Sequence, residues 1–425
     1  MRLRMSILAF IISPLTAQTF DQVRIVTAAE VEEATRPAAV LPLRILCFPY
    51  RGVTSGMEKG LIAFERRKMR ERYSAFTEDL RSHGVEYRFG GSGEGAGLGG
   101  GGMYTLRAGE RHVFQSLGLV TFKNYQELDL LWRMDLTHAA VIAEGSYQWR
   151  PQENFYGLGH DTVREKHSTF ALRQTWTGIR WEMPVLRRLR WGVLQRWVWL
   201  SALPGHNSYY ASPEVYFNNL PGYGTQTRLR STGVYFDMDG IRGEYQLGGA
   251  AHLGASYQDG LGPSKLRYFA YEAQLEGRMP VLSQNSAVVG QANFELNRTR
   301  GGSDPIPFYL LPHIGGSSTL RGFALDRFYG RNVALLSLEY RYRIHPNIQA
   351  FPFFDEGQIF DRTSDLSWLN WHRNYGFGFR FRSATGTFLR LEYGRSTEGF
   401  QLHVTFGDRE QPPLRGPVRY GVYKR

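Results

Sequence analysis

Long hydrophobic runs are missing from this sequence. Beyond a short N-terminal run, no stretch of about 18 apolar residues occurs, so no helix of this chain can span a bilayer. Cysteine is nearly absent as well, with Cys47 the only one. That excludes an internal disulfide and a cysteine-based zinc site. Arg44, Ile45 and Leu46 before it lack the small side chains of a lipobox, so Cys47 reads as an inert thiol. Signatures of chemistry are equally scarce. No H-E-x-x-H, G-x-S-x-G or Walker A motif occurs, and the 11 histidines are scattered. Gly95, Gly97 and Gly100 satisfy G-x-G-x-x-G, but strands follow directly and no βαβ unit surrounds them, so a dinucleotide site is rejected. No cofactor, no metal and no enzymatic activity are expected.

Charge is lopsided rather than absent: 51 Lys and Arg against 39 Asp and Glu give a formal +12. A basic chain suggests nucleic acid, but the positives here are mostly single arginines spaced along alternating patterns, as at Arg341, Arg343, Arg380, Arg382 and Arg390. A charged cavity accounts for them better than a groove-filling patch, so nucleic acid is not an expected partner. What the chain has in quantity is aromatic residues, at 14%, and 48 glycines, which suit sheets with aromatic girdles and tight turns.

Residues 1–17 read as a secretory signal, with Arg2 and Arg4 before the apolar run 5–12 and small Thr16 and Ala17 after it. An exported membrane protein without spanning helices must be a closed barrel, because only closure satisfies backbone groups in lipid. Residues 18–84 form an extended segment and one helix. Ser55 and Glu58 make a capping box, Leu61, Phe64, Met69, Phe76 and Leu80 an apolar stripe, and Gly84 the stop. Arg66, Arg67, Lys68, Arg70 and Arg72 crowd its polar face. Three placements stay open: periplasmic, plugging the barrel, or lying against anionic headgroups.

From 85 to 407 the pattern is strand after strand, with short turns alternating with long connections at 151–167, 202–224 and 298–330. A glycine-rich first strand within 90–102 is expected to bend and seal the barrel. Tryptophans near strand ends, among them Trp181, Trp191, Trp197, Trp199, Trp368 and Trp371, suit interfacial belts. The fold class expected is an all-β membrane protein, a single closed antiparallel transmembrane barrel with a short N-terminal helix, followed by a Pro/Arg tail at 408–425.

Residues 314–330, IGGSSTLRGFALDRFYG, organise the rest. They read as a long loop rather than a core element. Gly315, Gly316 and Gly322 leave the backbone free for positive φ and close approach, and a lone Arg321 marks the tip. The following strand puts Ala334, Leu336, Leu338, Tyr340 and Tyr342 on one face and Ser337, Glu339, Arg341 and Arg343 on the other. In the next, FFDEG puts Phe353, Asp355 and Gly357 on one face. If that face also bears Glu339, one planar guanidinium can bridge two carboxylates. Ser337 reads as a tolerant wall position, and Arg390 with Glu392 as plain wall.

At these residues the sequence resembles the BamA/TamA-type bacterial surface antigen superfamily of outer-membrane barrels. The resemblance maps Leu320, Arg321, Gly322 and Phe323 onto the family's loop tip, Phe353, Asp355 and Gly357 onto its strand motif, and Glu339 onto its second acid. NFYGLGHDT at 154–162 is similar to another run common in the family. The resemblance implies about 16 strands, an even number as bacterial barrels require. It also implies a weak first-to-last strand seam and a lumenal loop locked by Arg321 to Asp355 and Glu339. The function implied is insertion of proteins into the outer membrane, or movement of protein or lipid across it. Partners would be outer-membrane lipids, unfolded clients, or a chain bearing the POTRA modules that 18–84 does not show. A passive pore is the alternative. A hydrolase using Asp355 and Glu339 is a weaker one, because an arginine between them would keep both ionised.

Overall fold

The computed structural model describes residues 82–90, 93–206, 209–367, 370–383 and 386–406. The signal pattern, the helix, Cys47, Trp368 and the tail lie outside the described residues.

Strict alternation makes the strands, and the alternation is inverted relative to a water-soluble sheet. In β8 (Gln226–Asp239) the buried face carries Ser231, Tyr235 and Asp237, while Val234, Phe236 and Met238 are exposed. In β18 (Gly399–Phe406), Phe400, Leu402, Val404 and Phe406 are exposed. A sheet with its polar side inward and its apolar side outward matches lipid rather than water.

The remaining strands are β1 (Val85–Phe89), β2 (Gly99–Ala108), β3 (His112–Thr121), β4 (Gln126–Asp135), β5 (Ala140–Phe155), β6 (Ser168–Leu186), β7 (Leu189–Pro204), β9 (Gly248–Gly260), β10 (Arg267–Pro280) and β11 (Ser286–Thr299). The two-residue β12 (His313–Ile314) and β13 (Phe328–Tyr329) pair with each other inside the long connection. Then come β14 (Asn332–His345), β15 (Ile348–Phe360), β16 (His372–Ser383) and β17 (Gly386–Ser396). Sixteen strands form one antiparallel sheet in chain order, β11 pairing directly with β14.

The sheet curls. Tyr309, in the connection between β11 and β14, hydrogen-bonds Thr227 of β8, Tyr329 donates to the Asn154 carbonyl of β5, and Arg321 lies against β14 to β18. Strands this far apart in order can share one loop only if the sheet wraps around it. The sheet's edges approach too: a Cβ on Gly90, just past β1, would lie 3.5 Å from the Phe406 carbonyl oxygen. Among the described residues no ladder joins β1 to β18.

The glycines differ from expectation. Gly99 to Gly102 open the second strand, not the first, and a Cβ at Gly99 or Gly101 would strike the backbone of β3. Their role is close strand approach. Trp181 and Trp191 stack edge to face at 5.2 Å near the short β6–β7 turn, the arrangement a belt position would have.

Leu338 is 52% exposed in mid-β14 on the apolar side. Leu338→Arg should destabilise the sheet in a bilayer by about 2–4 kcal/mol. The expected readout is a lower temperature for loss of the fast-migrating band in a heat-modifiability gel. An unshifted transition would mean this side does not face lipid.

Candidate functional site

Strand register gathers the acids. Ser337 of β14 sits opposite Asp355 of β15, Glu339 opposite Phe353, and Glu392 of β17 opposite Gly378 of β16, all on the inner face. The loop tip lowers Arg321 among them until it is only 3% exposed. Its Nε donates to Asp355 Oδ2 at 2.9 Å and its Nη2 to Oδ1 at 2.5 Å, a two-pronged pairing. Nη1 donates to Glu339 at 2.5 Å and to Glu392 at 3.1 Å. The Phe353 ring lies under the guanidinium, 3.5 Å from Cζ to centroid. Asp355, fully buried, also accepts from Asn374 at 2.8 Å and from the Ser337 hydroxyl at 2.7 Å. Ser337 in turn accepts from Arg321 at 3.0 Å, so it is a member of the cluster and not a tolerant wall position.

Glu392 and Arg390 are members as well, correcting their reading as plain wall. Arg390 donates to Glu392 at 2.6 Å, while Arg341 and Arg380 donate to Glu339 at 2.7 and 3.0 Å. Four arginines thus surround three carboxylates. Each acid faces a cation, which is the condition for keeping charges in a desolvated space.

Close approach is possible because two wall positions beside the tip are glycines. Gly376 and Gly394 are paired across β16 and β17. A Cβ on Gly376 would lie 2.5 Å from the Phe353 ring, and one on Gly394 2.5 Å from the Arg321 carbonyl oxygen. Within the loop, Gly315 and Gly316 take φ of 126° and 99°. Gly322 does not take positive φ; it is needed because a Cβ there would lie 2.6 Å from that of Asn374. Gly357 gives the same room to Ile314 and Leu320.

The loop is a core element, contrary to the reading of it as a mere connection. Ile314, Leu320, Phe323 and Phe328 are buried with Val333, Leu335 and Ile359. Ile306 and 308–311 are buried with side chains of β5 to β8 and with Tyr329. Nor is Arg321 alone. Arg327 pairs with Glu398 in the β17–β18 turn at 2.8 Å and donates to the Thr162 hydroxyl and carbonyl, both at 2.6 Å. The NFYGLGHDT run docks on the same loop: Phe155 packs on Tyr329, and Gly159 N–H donates to the Tyr329 carbonyl at 2.8 Å. Behind it His167 stacks on Tyr156. Burial, with Arg164 and Arg327 nearby, holds its pKa down to about 4.

Glu94, in the β1–β2 connection, had no signal in the sequence. Its carboxylate accepts the backbone N–H groups of Ser317 and Ser318 and the Ser318 hydroxyl, the last two at 3.1 and 3.0 Å. On the opposite edge, His403 of β18 donates from Nε2 to the Arg321 carbonyl at 2.8 Å. The loop therefore holds both edge regions of the sheet at once. Positions 94 and 317 are 223 residues apart in sequence, and only the curl brings them together.

Residues 240–406, from the β8–β9 connection through β18, match the Omp85 superfamily domain. That match spans less than half of the chain. The Omp85 match covers Arg321 and all three of its carboxylates. Among solved structures, BamA from Haemophilus ducreyi lacking POTRA domains 1–3 is similar with a TM-score of 0.58 and 15% identity, over 76% of this chain and 70% of that one. CdiB from Acinetobacter baumannii gives a TM-score of 0.48 and 12% identity, over 76% and 59%. At such identities the likeness to BamA is one of fold. Comparison with curated protein sequences gives no match.

Proposed function

We propose that this chain is a closed outer-membrane barrel that inserts proteins into that membrane or moves protein or lipid across it, and that it is not an enzyme. The observation that carries the reading is a match to the Omp85 superfamily domain in a chain whose loop tip is buried on three carboxylates while the same loop ties the β1–β2 connection to β18. A sheet whose edges share a loop and, among the described residues, no ladder is suited to opening sideways when the loop shifts. The apolar outer side supports an outer-membrane location with lipids as the surrounding partner. Unfolded outer-membrane proteins would be the clients, with a POTRA-bearing chain as a further candidate partner. A hydrolase is disfavoured, because Asp355 and Glu339 both face arginines and neither is placed to act as a general acid. A passive pore is disfavoured by the buried loop inside the curl.

Depletion of the protein followed by quantitation of the outer-membrane proteome and lipids is the test. Loss of a defined set of barrels, or of a lipid class, with rescue by wild type is expected. An unchanged membrane, with steady ion conductance of the purified protein in planar bilayers, would favour the pore.

A further inference from the structure

The strand ends opposite the long loops are joined by connections of two to five residues among the other described turns, at 109–111, 136–139, 187–188, 281–285 and 346–347. The β8–β9 connection, 240–247, has eight. It does not hang free. Gln349 of β15 donates from Nε2 to Glu244 at 2.8 Å and to the Tyr245 hydroxyl at 2.6 Å. Arg382 of β16 pairs with Glu244, and Arg343 of β14 sits 4.5 Å from the Tyr245 ring centroid. Tyr245 is buried and Gln349 almost completely so. Gln349 is itself held by Arg380 at 3.2 Å, so its amide is fixed before the turn arrives.

These partners are not neighbours along the sheet. From β9 to β15 is four strand steps, roughly 19 Å along the wall at the usual strand spacing. An eight-residue turn meets β14, β15 and β16 only by crossing the interior as a chord. Its two end contacts are a charge pair and a buried phenol, and the wall supplies matching cations and an amide. A solvated hairpin turn needs neither the extra length nor these partners.

We propose that the β8–β9 turn is a latch that closes the interior at the short-turn end, opposite the loop bearing Arg321, with Glu244 and Tyr245 as its bolt and Gln349, Arg343 and Arg382 as its keeper. It is independent of what the barrel transports, and both readouts below are blind to client or cargo.

The test compares full-length protein with Glu244→Ala/Tyr245→Ala, and separately with Gln349→Ala, which attacks the latch from the wall. Heat modifiability first establishes that each sheet is formed. Trypsin cleavage at Arg242, exposed within the turn, should quicken at least tenfold in both variants. The second readout places a thiol inside that end by Ala287→Cys in a Cys47→Ser background. Ala287 is fully buried on the inner face, opposite Arg341. Labelling by a water-soluble maleimide should accelerate by a similar factor when the latch is removed. Unchanged cleavage in folded variants overturns the latch. Faster cleavage with unchanged labelling also overturns it, because the turn would then be anchored without closing anything.

Discussion

Arg321→Ala should raise the rate of protease cleavage within 314–330 by about two orders of magnitude while the sheet persists. The substitution leaves Asp355, Glu339 and Glu392 in place and removes the one cation that touches all three. Breaking a buried pair from one side typically costs roughly 3–5 kcal/mol, since the remaining charge is stranded. The cost here falls unevenly. Glu339 keeps Arg341 and Arg380, and Glu392 keeps Arg390, whereas Asp355 keeps no cation, only the Asn374 amide, the Ser337 hydroxyl and the backbone N–H of residue 321. The lower end of the range is therefore expected, and about 3 kcal/mol is roughly a hundredfold in the population of the opened loop. Cleavage tracks that population when opening is fast compared with cutting. Full release is not expected, because Ile314, Leu320, Phe323 and Phe328 stay buried and each contributes about 1.5–3 kcal/mol. Arg321→Lys should fall between, keeping the charge but losing the fork. Equal cleavage of wild type and Arg321→Ala would sink the lock.

The tip and its two acids are legible because β14 and β15 keep a period of two until a register shift between Arg343 and His345. Ser337, Glu339 and Arg341 share a face, and Phe353 and Asp355 join it through a register that is the same at Asn332 and at Arg343 and shifts only beside the two-residue turn. What the pattern could not carry was distance. Glu392 is 71 residues from Arg321, and nothing local distinguishes it from any other inward glutamate. Glu94 and Arg327 act through backbone groups and connections whose neighbours depend on how the sheet curls, which no periodicity encodes. The alternating glycines of YGFGF, Gly376 and Gly378, are a signal the sequence does carry. Two glycines on the inner face of a strand imply something large lying over them. Here they make room for the rings of Phe353 and Phe351. The burial of loop 314–330 is illegible for a related reason: its apolar residues lack strand spacing, so packing against a distant wall leaves no period to read.

Gly394→Leu should disturb the loop more than removal of the arginine itself. A Cβ at this position would lie 2.5 Å from the Arg321 carbonyl oxygen, 2.6 Å from its carbon and 2.8 Å from the Gly322 nitrogen. All three are backbone atoms held by the Phe323 amide bond to Leu320 and by Ser396 and His403, so no rotamer change relieves the clash. Overpacking a site that can relax costs about 1–3 kcal/mol. A site that cannot relax must undock the tip, and undocking forfeits every Arg321 contact together with the Phe323 packing. The strand itself has no reason to fail: Gly394 does not take positive φ, so a leucine fits the backbone of β17. The sheet's band in an unheated gel should therefore survive, while 314–330 becomes at least as protease-sensitive as in Arg321→Ala. Gly290→Leu is the matched control, because a Cβ there meets nothing within 4 Å and points outward. If the two glycine variants are cut at the same rate, the tip does not rest on β17 and the floor beneath Arg321 is wrongly assigned.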